Sequence, residues 1–196
     1  MRTSKQFLLV LGSFLMMVIS IQTAFAQNFN INRTASELKI EGTSNIHDWE
    51  IEAEEFQGNI NVEIQDGQLV KVNELNFAVV AESLKSGKRG MDKNTYKALK
   101  TDDNQRITFQ LSKINDIDCT TNNKCKVSTS GYLTIAGTKK PVDIIFDATV
   151  NQDKIVLSGN KNINMTHFNV EPPTAMFGTI TTGDEVKINF KTTFSR

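Results

Sequence analysis

The segment Val142-Asp143-Ile144-Ile145-Phe146-Asp147-Ala148-Thr149-Val150 decides the fold. Val142, Ile144, Phe146, Ala148 and Val150 stand two apart, and most residues between them are polar. A period of two sends successive side chains to opposite faces, as a half-buried strand requires. The pattern returns at Leu38 and Ile40, at Trp49, Ile51 and Ala53, and at Ile60, Val62 and Ile64. It continues through Leu75, Phe77, Val79 and Ala81, and through Ile107, Phe109 and Leu111. Leu133 with Ile135 and Val186, Ile188 and Phe190 complete about eight such runs. They predict an all-β chain, an antiparallel sheet with one apolar face. Such a sheet can close into a small barrel whose interior holds one apolar ligand.

Turn residues punctuate the runs. Thr43-Ser44-Asn45 separates the first two strands, and Asp66-Gly67 is a strong hairpin signal. Gly137 to Pro141 is expected to turn the chain, and Gly183-Asp184 to precede the last strand. Strand signals begin near Glu37. One stretch, Ser86 to Lys100, breaks the period: Met91, Tyr96 and Leu99 fit a helical face, with Asp92 or Asn94 as the cap. A short helix near residues 88–100 is therefore expected across one end of the barrel. Glu171 to Gly178 (EPPTAMFG) carries two prolines, which exclude it from a central strand. It is expected on the barrel rim, as a lid or as a ligand portal.

Residues 1–26 read as a cleaved secretory signal. Arg2 and Lys5 precede the apolar run Phe7 to Ile21, and Ala24-Phe25-Ala26 supplies the small-residue cleavage site. Residues 27–196 then form one domain, periplasmic or secreted, with no stable membrane insertion after cleavage. Taking Arg2 and Lys5 from the 22 basic residues leaves two fewer than the 22 acidic ones, a net charge of −2. That balance gives no footprint for nucleic acid. Cys119 and Cys125 flank a turn, and in an oxidising compartment they are expected to form a structural disulfide.

Catalytic signals are sparse. The chain has 2 histidines, His47 beside Asp48 and His167, too few for a three-histidine zinc site. No nucleophile elbow, phosphate-binding glycine loop or dinucleotide fingerprint is present. No catalytic residue, metal or cofactor is assigned.

Four segments resemble the YceI-like family of periplasmic lipid-binding proteins, also called polyisoprenoid-binding. They are GTSNIHDWEIEAEEFQGNI (42–60), ESLKSGKRGMDKNTYKALKTDDNQRITFQ (82–110), SGYLTIAGTKKPVDI (130–144) and NINMTHFNVEPP (162–173). The third is the most specific, through Gly131, Leu133, Thr134, Gly137, Lys140, Pro141 and Val142. The Cys119–Cys125 loop and the PPTAMFG stretch depart from many members. The resemblance implies an extended, lipocalin-like antiparallel barrel whose lumen holds a long apolar chain. A polyisoprenoid, an isoprenoid quinone or a fatty-acid derivative would fit.

The expected function is non-enzymatic binding, transport or storage of such an amphiphilic lipid. Trp49, Phe77, Phe109, Phe146 and Phe168 are the candidate lumen residues. Met165, Met176 and Phe177 are rim candidates, and the basic cluster Lys85, Lys88, Arg89 and Lys93, Lys88 and Arg89 above all, could receive an anionic headgroup. Two alternatives stand beside this reading. One is an envelope protein-interaction module with a solid barrel. The other is a secreted enzyme acting on a lipid-like substrate through His47, Asp48 and His167. A homodimer could form through an uncapped sheet edge or through EPPTAMFG.

Overall fold

The computed structural model describes residues 26–196 except 122 and 152. The signal segment expected over residues 1–26 lies outside the described residues, save for Ala26. Twelve strands occur among the described residues: β1 (Ala26–Ile31), β2 (Glu37–Ser44), β3 (Trp49–Ala53), β4 (Phe56–Gln65), β5 (Gln68–Val80), β6 (Leu84–Lys85), β7 (Arg106–Thr121), β8 (Lys124–Ile135), β9 (Thr138–Asn151), β10 (Lys154–Asn164), β11 (Thr174–Ala175) and β12 (Ile180–Ser195). The helix α1 spans Arg89–Leu99.

Eight strands close an antiparallel ring in the order β1-β4-β5-β7-β8-β9-β10-β12, and β12 returns to β1 through Asn30↔Ser195 and Ile31↔Phe194. The expected barrel is thus formed. β2 continues along β12 beyond β1 and carries β3 and then β6 as a branch. The ring is not uniform. β5 and β7 pair only over Asn76–Val80 with Arg106–Gln110. β9 and β10 pair only over Phe146–Asn151 with Lys154–Gly159, and towards Thr138 and Asn164 they part.

Two ends result. At the packed end lie the β4–β5, β7–β8 and β9–β10 turns. Phe29, Ile60, Val62, Val127, Ile155 and Phe194 are there, all but sealed from solvent within one apolar cluster. Each such side chain contributes roughly 1.5–3 kcal/mol on burial. Thr129, also fully buried, donates its hydroxyl to the Ile144 carbonyl at 2.8 Å. The disulfide joins Cys119 and Cys125, opposed residues on β7 and β8, at this end. At the open end lie the β8–β9 turn, α1 and residues 165–180. A second cluster there includes Leu38, Ile51, Leu133, Ile163, Phe168 and Val186.

Asp66 and Gly67 both have positive φ and close the β4–β5 hairpin through Gln65↔Gln68, as the sequence predicts. Four local expectations are corrected. β1 precedes the first expected strand, because AQNFNI buries only Phe29 and shows too little alternation to be read. The β8–β9 turn is Ala136-Gly137, and Pro141 already lies in β9, opposite Tyr132. β10 does not reach that part of β9, so the missing N–H is tolerated as on an edge strand. Gly183 and Asp184 stand inside β12, at the irregularity between Thr182 and Val186. Neither Asp92 nor Asn94 is the helix cap. Lys88 holds that position without a side-chain bond, and the Asp92 carboxylate reaches back to accept from the Ser86 N–H (2.8 Å) and hydroxyl (2.6 Å).

Candidate functional site

A cavity of about 1070 Å³ occupies the open end and runs down to Leu157, Thr192 and Phe194. It matches the upper limit of small-molecule pockets, about 300–1,000 Å³. β12 supplies one wall from rim to floor: Ile180, Thr182, Val186, Ile188, Phe190, Thr192 and Phe194 all line it. At ~3.3 Å per residue that is ~45 Å of strand, less the local bend. The alternation read in the sequence is therefore the cavity wall.

Glycines keep the wall open. The indole of Trp49 lies across Gly42, its partner on β2, and donates its N–H to the Thr43 carbonyl at 2.9 Å. Phe109 lies against Gly131, where an added Cβ would come within 2.5 Å of the ring. Gly58 and Gly159 similarly face Phe77 and Phe190, their cross-strand partners. Without a Cβ behind it, each ring can lie back against the sheet, and all four rings line the cavity. Phe77, Phe109 and Phe190 face inward yet are only half-buried, unlike their counterparts at the packed end.

All five candidate lumen residues line this one cavity: Trp49, Phe77, Phe109, Phe146 and Phe168. So do Met165, Met176 and Phe177 at the rim. Lys88 joins them, whereas Arg89 is exposed outside the lining. Lys93, from the same basic cluster, lines it too, and so does Lys161, which the sequence does not single out. Lys161 stands on the part of β10 that leaves β9, which no local pattern announces. Among the described residues no Asp or Glu side chain lines the cavity.

The mouth is held by polar contacts. Tyr96 on α1 donates its hydroxyl to the Glu82 carbonyl (2.8 Å) or the Leu84 carbonyl (3.1 Å), and Lys85 donates to the same hydroxyl at 2.5 Å. That bond raises the Lys85 pKa. Asp184 fastens the turn of residues 165–168 to β12. It accepts from the Asn164 side chain (2.8 Å), the Thr166 N–H (2.8 Å) and the Thr166 hydroxyl (2.7 Å), and these bonds hold its carboxyl below the ordinary value. Asp92 is pushed up by burial, but its bonds from Ser86 prevail and lower it overall.

His47 lines the cavity, but its Nδ1 lies 2.9 Å from the Asp48 backbone carbonyl rather than on a carboxylate. His167 is exposed on the 165–168 turn and outside the lining. The three groups of the enzyme alternative are thus not gathered in the cavity. Among the described residues no three His, Cys, Asp or Glu side chains gather to hold a metal ion. No helix among them is long and apolar enough to cross a membrane.

None of the curated proteins matches the chain. Solved structures share the fold at low identity. Burkholderia cenocepacia BcnA aligns with a TM-score of 0.65 at 18% identity, covering 83% of this chain and 98% of its own. A polyisoprenoid binding domain from Saccharophagus degradans, implicated in plant cell wall breakdown, aligns with a TM-score of 0.66 at 12% identity, covering 85% and 97%. The Campylobacter jejuni YCEI protein aligns with a TM-score of 0.50 at 19% identity, covering 71% and 81%. The YceI-like domain model matches residues 29–194, from within β1 to the end of the ring in β12. On that match, the chain belongs to the YceI-like family.

Proposed function

We propose that this protein binds an amphiphilic long-chain lipid in its cavity and carries or stores it outside the cytoplasm, in the periplasm or as a secreted protein. The ligand class is a polyisoprenoid, an isoprenoid quinone or a fatty-acid derivative. The observation that carries the reading is the cavity of about 1070 Å³, walled by inward-facing apolar strand positions. The Saccharophagus degradans domain of the same fold, described as polyisoprenoid binding, supports the ligand class. The basic start of the chain, its apolar run and the disulfide support an oxidising compartment. Burial of the apolar chain, at about 25 cal/mol per Å², supplies the affinity, and no residue need perform chemistry. Lys88 and Lys93 at the mouth would meet an anionic headgroup.

Native mass spectrometry of the protein secreted by a bacterial host, followed by solvent extraction, tests this. A stoichiometric adduct of isoprenoid or acyl mass is expected. A bare mass, with no uptake of supplied quinones, polyprenyl phosphates or fatty acids, would refute it.

A further inference from the structure

Met176 and Phe177 sit at the cavity mouth with positive φ, 51° and 57°, followed by Gly178 at 87°. Left-handed backbone is costly for side chains of this size. Phe177 is nonetheless fully exposed and Met176 is 70% exposed. A strained loop that holds its largest apolar side chains in water gains nothing from the fold itself. The neighbouring loop does the same with Ile46, which is 57% exposed. Asn45 locks the two loops together: its side chain donates to the Thr179 carbonyl at 2.9 Å and accepts from the Thr181 N–H at 3.0 Å. The three apolar tips thus form one crest beside the opening.

Three lysines, Lys88, Lys93 and Lys161, line the cavity, and among the described residues no carboxylate does. Asp92 and Asp184 at the mouth are engaged by Ser86 and by Asn164 and Thr166. Apolar tips beside lysines match the interface of a bilayer containing anionic lipid. There the rings enter the acyl boundary while the ammonium groups meet phosphates. The cavity then opens towards the acyl chains, so a lipid could pass in without crossing water.

We infer that the crest of Ile46, Met176 and Phe177 docks the cavity mouth onto an anionic phospholipid surface. The inference builds on the lipid-carrier reading, but its test is independent of what fills the cavity. The protein is sedimented with phosphatidylcholine vesicles and with vesicles of equal phosphatidylcholine and phosphatidylglycerol. Preferential, salt-sensitive binding to the anionic vesicles is expected, weakened at least about tenfold in Phe177→Asp, the loss anticipated for one buried aromatic. Val70→Asp, which alters an exposed apolar residue outside the cavity lining, is expected to bind like the parent protein. Failure of the parent protein to bind, or equal binding by Phe177→Asp, would overturn the inference. So would a protein dimer that Phe177→Asp dissociates when neither form binds vesicles. Native mass spectrometry on the same samples judges the carrier reading separately. Vesicle docking with an empty cavity would support this inference and refute that one.

Discussion

Trp49 lies flat across Gly42, so closely that a methyl group at position 42 would overlap the indole. The pair joins β2 to β3 and fixes one aromatic wall of the cavity. Gly42→Ala must expel the ring or shift the strand, at a cost of about 1–3 kcal/mol for an overpacked site. Because Trp49 is the single tryptophan, its fluorescence reports the displacement directly. An unchanged emission spectrum together with unchanged thermal stability would contradict this account of the wall.

The two ends of the barrel should respond differently to substitution. Phe29→Ala removes a fully buried ring from the packed end, outside the cavity lining. It is expected to cost about 3–5 kcal/mol in denaturant unfolding, with bound lipid unchanged where the protein remains folded. Ile188→Trp adds volume inside the hollow end. That variant should unfold near the parent midpoint yet lose most of its lipid adduct by native mass spectrometry.

Cys119 and Cys125 close a short loop far from the mouth. Replacing both by serine is expected to lower stability by about 2 kcal/mol, following the loop-closure estimate. Lipid occupancy should not change, and both quantities can be read from one preparation.

Asp184 gives a pH signature. Its folded pKa lies below the ordinary carboxylate value, so its contribution is present above the unfolded pKa, near 3.8. It is lost as pH falls through the folded value. Asp184→Asn should therefore melt earlier than the parent at neutral pH, and the gap should narrow as acid reaches that window. A gap that stayed constant from neutral pH down to pH ~2 would show that the carboxylate's charge is irrelevant to its bonds.

The sequence makes the strands legible where apolar and polar residues alternate over several positions, as from Val142 to Val150. It does the same where a two-residue turn demands positive φ, as at Asp66-Gly67. β1 escapes because Asn28 and Asn30 flank a single buried Phe29. Pro141 misleads because a proline marks a turn unless the strand loses its neighbour, and that loss depends on where β9 and β10 diverge. The lumen aromatics are legible as inward-facing residues. Whether they fill the interior or frame it turns on the glycines opposite them, and hence on cross-strand register that local patterning does not specify. Lys161 reaches the cavity for the same long-range reason.

The divergence of β9 from β10 leaves Thr138–Ile145 with backbone groups that no neighbouring strand satisfies on one side. A bare edge of this kind is a template for another chain and a starting point for aggregation. Next to its first residue it carries Lys139-Lys140-Pro141, all exposed: two charges and a residue with no N–H to offer. Lys139-Lys140-Pro141 therefore guards the seam through which the barrel could polymerise.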